Sequence, residues 1–191
     1  MLAWSGIAPR DRFTWLLEVL PAVIGGALLV ATHGRFPFTS LAYVLMWSHA
    51  AILLVGGHYT YAEVPLFNWL RDELHLARND YDRIGHLAQG FVPAIVTREI
   101  LLRRSPLCSG KWLFFLVTCV CLAISSLYEI IEWLVARCTG TAAEAFLGTQ
   151  GDAWDTQWDM ALALLGALCA QLLLGRSHDR ALERCTRTAC T

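Results

Sequence analysis

Three short stretches of this chain place ionisable side chains at helical spacing. Asp82 and His86 are four residues apart, and Gln89 continues the same face. Glu129 and Glu132 are three apart, and Asp152, Asp155 and Asp159 step by three and then four. Residues three or four apart lie on one face of a helix, so each stretch can present its polar groups as a single stripe. His58 and Glu63 follow another apolar run, and Glu18 lies inside a fourth. Carboxylates with an imidazole suit Zn²⁺, Mn²⁺ or Fe²⁺, and carboxylates alone suit Mg²⁺ or Ca²⁺. On this reading His86, Glu129, Glu132, Asp155 and Asp159 hold a divalent cation, and Asp82, Gln89 and His58 support and orient them. The cation would generate hydroxide or polarise a substrate oxygen. Asp152 or Glu63 would serve as the base. Neither an H-E-x-x-H nor an E-x-x-H pair occurs, so the signal is a constellation of residues and not a linear motif.

Each group also has a plainer reading. Glu129 and Glu132 can hydrogen-bond between helices. Asp152 and Asp155 can serve as turn and N-cap residues, with Gly148 and Gly151 beside them favouring a tight turn. Asp159 lies a full turn further on, where capping explains it poorly. His86 can be a satisfied buried histidine, and His49, alone in mid-run, fits packing or a bond to a neighbouring helix. Like charges held together need an offset from protons, arginines or a metal, and Arg83 and Arg137 are the nearest basic candidates in sequence.

The elements that must position these groups are membrane helices. Of 191 residues, 56% are hydrophobic and only 16% charged, with a mean hydropathy of +0.47. Soluble domains run about 45–50% apolar and about 25% charged, so the composition argues against a soluble enzyme, a disordered tail or a nucleic-acid binder. A helix needs about 20 mostly apolar residues to cross the hydrocarbon core. Five segments come near this: 13–31, 38–57, 84–102, 112–135 and 157–175. The third is the most polar, carrying His86, Gln89, Arg98 and Glu99. Only structures that satisfy their own backbone cross a bilayer, so the expected fold is an all-α polytopic bundle of about five transmembrane helices. Trp15, Trp112, Trp133, Trp154 and Trp158 mark span ends as interfacial anchors. Within 65–77, Leu66, Phe67, Leu70 and Leu74 share a face opposite Arg71, Asp72 and Glu73, which predicts a short helix lying in the interface. The chain divides into an N-terminal segment 1–12, a transmembrane region 13–175 and a basic, flexible tail 176–191.

Arg10 and Arg12 precede the first apolar run, but its length, Glu18, Pro21 and the lack of a cleavage site favour a retained helix over a signal peptide. The seven cysteines include no C-x-x-C pair, and Cys119, Cys121 and Cys169 sit in apolar runs, as small hydrophobes do.

With five spans, nine basic residues fall on the side of the third connector and tail and six on the other, which predicts the N-terminus outside and the C-terminus in the cytoplasm. The acids are more lopsided. Thirteen of 16 fall on the side of the second and fourth connectors, near one membrane surface. Three functions fit: a metal-dependent enzyme acting on lipid or lipid-linked substrates, a non-catalytic scaffold or binder of lipid or peptide, and an ion- or proton-coupled transporter.

The stretches G-G-H-Y-T-Y-A-E-V-P (56–65), R-N-D-Y-D-R-I-G-H-L-A-Q-G-F-V-P-A (78–94), S-L-Y-E-I-I-E-W (126–133) and F-L-G-T-Q-G-D-A-W-D-T-Q-W-D-M (146–160) resemble the YjdF-like family. These are bacterial inner-membrane proteins whose domain has no assigned function. The resemblance covers roughly residues 14–175 and implies a multi-pass inner-membrane protein. A looser similarity is to VanZ-like membrane proteins, with Asp82 and His86 fitting D-x-x-x-H. Glu129 and Glu132 stand there as E-x-x-E in place of E-x-x-Q, and Asp155 and Asp159 as D-x-x-x-D in place of D-x-x-x-N. Neither resemblance implies a reaction.

Overall fold

Asp11 and Thr39 begin the first two long helices. In the computed structural model, which describes the backbone of residues 1–139 and 144–188 and the side chains of 1–139 and 146–185, the Asp11 carboxylate accepts from the Thr14 N–H at 2.6 Å. Thr39 Oγ1 accepts from the Ala42 N–H at 3.3 Å. Each bond satisfies a donor that has no partner within its own helix. The helices are α1 (Leu2–Ser5), α2 (Arg12–Thr32), α3 (Ser40–Tyr59), α4 (Pro65–Glu73), α5 (Tyr81–Arg104), α6 (Lys111–Thr139), α7 (Glu144–Leu147) and α8 (Asp155–Thr188). The described residues include no strand. Among the charged residues and cysteines counted above, the Glu144 and Arg187 side chains and Cys190 lie outside the described residues.

Helices α2, α3, α6 and α8 are long and apolar enough to cross a membrane. At 24 residues, α5 is about 36 Å long and also sufficient in length, but its polar residues set it apart. The expected five spans thus resolve into four apolar helices and one polar one. The position of α5 supplies the physical reason. It packs against α3, α6 and α8 and buries Asp82, His86, Arg98 and Glu99. A helix surrounded by protein can carry ionisable groups that would be costly against lipid.

The α5–α8 seam is the closest helix contact. A Cβ added at Gly90 would overlap the Ala163 carbonyl, and one at Gly166 would overlap the Leu87 carbonyl. Small residues let two backbones approach where lipid offers no hydrophobic push between helices. Around this seam the buried core includes Ala94, Ile95, Val117, Cys121, Ala167 and Ala170. The outer faces carry exposed Leu, Ile and Val, while Trp112, Trp133, Trp154 and Trp158 are exposed near helix ends. Trp15 instead turns inward and donates to Ser5 Oγ at 3.2 Å.

Two expectations change. The tail beyond 175 is not a separate flexible segment at its start, because α8 continues unbroken to Thr188. His178 and Asp179 meet Glu99 and Arg98 of α5, which holds the helix against the bundle. At 34 residues, α8 is about 51 Å long, so it extends beyond a hydrocarbon core of about 30 Å. The amphipathic stretch 65–77 is helical over Pro65–Glu73, with no buried residue and with Leu66 and Trp69 exposed. Phe67 turns inward against the Tyr81 ring, 5.2 Å between centroids.

Candidate functional site

The bundle brings the start of α5, the end of α6 and the start of α8 to one membrane surface. His86 stands among three carboxylates. Its Nε2 lies 3.5 Å from Asp82 Oδ1 and 3.8 Å from Asp159 Oδ2. Its Nδ1 lies 3.7 Å from Glu129 Oε1. One ligand atom from each of Asp82, His86 and Asp159 falls within 4.8 Å of the others, and all three residues are buried. Ligands about 2.1 Å from a common tetrahedral ion lie about 3.4 Å from one another, within about 0.4 Å of the two Nε2–carboxylate distances here.

Three buried atoms here make no hydrogen bond to a described residue: His86 Nδ1, Glu129 Oε1 and Asp159 Oδ1. Native interiors leave few such atoms unpaired. Glu18, Asp82, Glu129, Glu132, Asp155 and Asp159 are all buried. Arg78 is the guanidinium placed among them, and His86 the imidazole. So many carboxylates against so little positive charge require protons or a cation.

Arg78 is a residue that sequence reasoning missed. It hydrogen-bonds Asp155 and lies 3.5 Å from Asp82. Its terminal nitrogens also reach the Gly148 carbonyl at 3.2 Å and the Thr149 carbonyl at 3.4 Å. Burial works against its charge, but the bond to Asp155 and the surrounding carboxylates outweigh this and raise its pKa above the ordinary value. The signal was present as the i, i+4 spacing of Arg78 and Asp82. Arg83 lies further out, on Asp152 at 3.2 Å and over the Trp158 ring, and Arg137 is exposed.

Beside His86 is a cavity of about 150 Å³ lined by Glu18, His49, Tyr61, Gln89, Tyr128 and Glu132, among others. Tyr128 donates to Glu18 Oε2 at 3.3 Å. Pro93 also lines it. Having no N–H, Pro93 leaves the Gln89 carbonyl without its intrahelical donor. Tyr61 is held by a left-handed pair, Thr60 at φ 59 and Tyr61 at φ 52. Burial, then the neighbouring Glu18 charge, pushes its phenol well above the ordinary range.

Not every candidate joins the cluster. Asp155 is engaged by Arg78. Asp152 accepts from the Trp154 N–H at 2.9 Å, as a turn residue does. Glu63 lies 3.6 Å from Arg10 and accepts from Asn68 at 3.3 Å. His58 Nδ1 lies 3.0 Å from the Ser5 carbonyl, and its ring stacks on Trp4. Neither Glu63 nor His58 lines the cavity.

A second buried network closes the opposite end of α5. Glu99, fully buried, accepts from the Thr39 N–H at 2.9 Å, Thr39 Oγ1 at 2.7 Å, Arg103 at 2.7 Å and His178 Nε2 at 3.0 Å. Because Arg98 can only donate to His178 Nδ1, at 2.9 Å, the histidine proton lies on Nε2. This network ties α3, α5 and α8 together and saturates the Glu99 carboxylate.

Fold and site together define a polytopic helical membrane protein with a buried acidic and histidine cluster near one surface. The chain belongs to the family described as Predicted membrane protein (DUF2238), whose model matches residues 1–180. It is 52% identical over 184 residues to the inner membrane protein YjdF of Escherichia coli (strain K12), covering 96% of this chain and 88% of that protein. These matches bear out the first resemblance; the VanZ-like one is not shown by them. No solved structure matches.

Proposed function

We propose that this inner-membrane protein binds a divalent cation through His86 Nε2, Asp82 and Asp159 and uses it on a lipid or lipid-linked substrate at the extracytoplasmic headgroup layer. The observation that carries this reading is the approach of two carboxylates to one buried imidazole nitrogen, with a third, Glu129, facing the other nitrogen. Closing the 3.7 Å gap between Nδ1 and Glu129 into a hydrogen bond would complete the carboxylate–histidine–metal relay, in which an outer carboxylate orients a ligating imidazole and sets its tautomer. It exchanges two of the roles expected from sequence, since Asp82 moves to the ligand side and Glu129 becomes the orienting group. Zn²⁺, Mn²⁺ or Fe²⁺ suits this mixed donor set better than Mg²⁺. The cation's chemistry would be to acidify a bound water or polarise a substrate oxygen. Glu132 and Glu18, which line the cavity, then take the base role in place of Asp152 and Glu63.

Metal analysis of protein purified without chelator tests this. Wild type carries stoichiometric Zn, Mn or Fe, and His86→Ala carries none. Metal-free wild type whose melting temperature does not respond to any of these ions overturns the proposal.

The pairing of Arg78 with Asp155 and Asp82 favours a second reading, in which the cluster is an ion network holding a non-catalytic scaffold together. On that reading Asp159→Asn lowers the stability of the metal-free protein, and added cation stabilises neither it nor wild type. A transporter finds less support, because Glu99 at the other end is saturated by its four donors.

A further inference from the structure

A larger apolar groove, about 770 Å³, opens between α2 and α3 and reaches α5. Its walls run from Pro21 to Thr32 on α2, a rise of about 16 Å, and include Phe38, Tyr43, Trp47 and Ile100. One leaflet of a bilayer core is about 15 Å deep. The groove therefore occupies the leaflet opposite the acidic cluster, over the length of one lipid chain, and its volume falls in the range of about 300–1,000 Å³ typical of small-ligand sites. At Gly25 and Gly26 an added Cβ would meet nothing within 4 Å, so the backbone of α2 forms an open wall.

The end of this groove nearest the membrane surface is basic. One turn beyond Ile100 are Arg103 and Arg104, and Arg35 lies in the connector between α2 and α3. All three are exposed. Arg103 donates to the Pro37 carbonyl at 2.6 Å and Arg104 to the Arg35 carbonyl at 3.2 Å. Their guanidiniums lie 3.9 and 5.0 Å from the centre of the Phe36 ring, and Phe36 packs edge-on to Phe38 of the groove wall. Glu99 offsets part of the Arg103 charge, but no other carboxylate pairs with this group among the described residues. A guanidinium offers five donors, so the bonds to backbone carbonyls leave others for an oxyanion.

From an apolar groove one leaflet deep, ending in clustered arginines, we infer a binding site for an anionic glycerophospholipid. One acyl chain lies between α2 and α3, and the phosphate lies against Arg35, Arg103 and Arg104. Basic pockets between transmembrane helices hold anionic headgroups in this way. The groove meets the cavity beside His86 at Pro21, His49 and Leu53, which line both, but its three arginines are not part of the proposed cation centre.

Native mass spectrometry of the full chain, titrated with dioleoyl phosphatidylglycerol or dioleoyl phosphatidylcholine, tests the inference. Wild type retains phosphatidylglycerol about tenfold more tightly than phosphatidylcholine, and excess inorganic phosphate does not displace it, because the chain contributes to binding. The double variant Arg35→Gln and Arg104→Gln loses most of that preference. Gly25→Leu, whose Cβ meets nothing within 4 Å and whose side chain occupies the groove, loses retention of the lipid while its melting temperature stays within a few degrees of wild type. Equal retention of the two lipids by wild type, displacement by phosphate alone, or undiminished retention by Gly25→Leu each overturns the inference. Should the arginine variant fail to fold, Gly25→Leu still decides it.

Discussion

Arg78 hydrogen-bonds Asp155 across 77 positions of sequence, and both side chains are nine-tenths buried or more. This contact closes the connector before α5 onto the start of α8. Removing one partner of a buried ion pair leaves the other uncompensated and costs about 3–5 kcal/mol. Arg78→Gln is therefore expected to lower stability by about 3 kcal/mol, and adding Asp155→Asn is expected to recover part of it. Thermal melts in detergent measure both, and an Arg78→Gln protein as stable as wild type would refute the central role given to this arginine.

At the other end of α5, His178 donates to Glu99 and accepts from Arg98. His178→Ala removes both bonds and leaves a fully buried carboxylate one donor short. Bonds to charged groups contribute about 1.5–3 kcal/mol each, so a loss of about 3 kcal/mol is expected. The effect should be local as well. Backbone amides beyond residue 176 should exchange hydrogen faster in the variant, whereas those around Val117 should not. Unchanged exchange beyond 176 would show that α8 needs no such clasp.

The α5–α8 seam and the α2 groove make opposite forecasts for the same substitution. Gly90→Ala drives a methyl group into the Ala163 carbonyl, and backbone cannot move aside as a side chain can. Overpacking costs about 1–3 kcal/mol, and the upper end is expected here. Gly25→Ala meets open space and should gain up to about 1 kcal/mol from helix propensity. Side-by-side melts check the sign of each.

Much of this was legible in the sequence, and what was not has a physical reason. The apolar runs placed α2, α3, α6 and the start of α8 within a few residues, because a span must satisfy the bilayer thickness. The stripes Asp82–His86 and Asp155–Asp159 meet because α5 and α8 run parallel from the same surface, with α6 returning the chain between them. The neutralising arginine was missed because Arg78 lies in a connector, where no periodicity points its side chain inward. Asp155 was assigned to the cation when Arg78 engages it for the same reason. The clasp at His178 was hidden because the hydropathy drop after residue 175 resembles the end of a span, whereas the partner residues Arg98 and Glu99 hold the helix beyond it. Glu63 and His58 matched the cluster in membrane depth, but depth says nothing of direction around the bundle.

Asp11 offers a pH test outside the membrane. The Thr14 N–H bonded to its carboxylate holds its pKa below the ordinary 3.8. A carboxylate depressed in the folded state stabilises it above the unfolded pKa, and that contribution is lost as pH falls through the folded value. Asp11→Ala should cost about 1 kcal/mol at pH 7. The difference from wild type should shrink below about pH 4. A difference that stays constant from pH 7 to pH 3 would mean that the carboxylate charge does not contribute to the cap.

Asp159 separates a binding site from a structural network. It is buried beside Asp82, Glu129 and Asp155, its Oδ1 makes no hydrogen bond to a described residue, and no arginine pairs with it in the way Arg78 pairs with Asp155. Sites built for a ligand hold like charges together at a cost in stability that the ligand offsets. Asp159→Asn keeps the volume and removes one charge, so in metal-free protein it is expected to raise stability by about 1–2 kcal/mol. The same variant should lose the response to added cation. For wild type, a cation at about 100 times its dissociation constant adds about 2.7 kcal/mol. Melts of both proteins with and without Zn²⁺ or Mn²⁺ read the two effects together. If Asp159→Asn instead destabilises the metal-free protein, the carboxylate is part of the network that holds the helices together, and the cation reading fails with it.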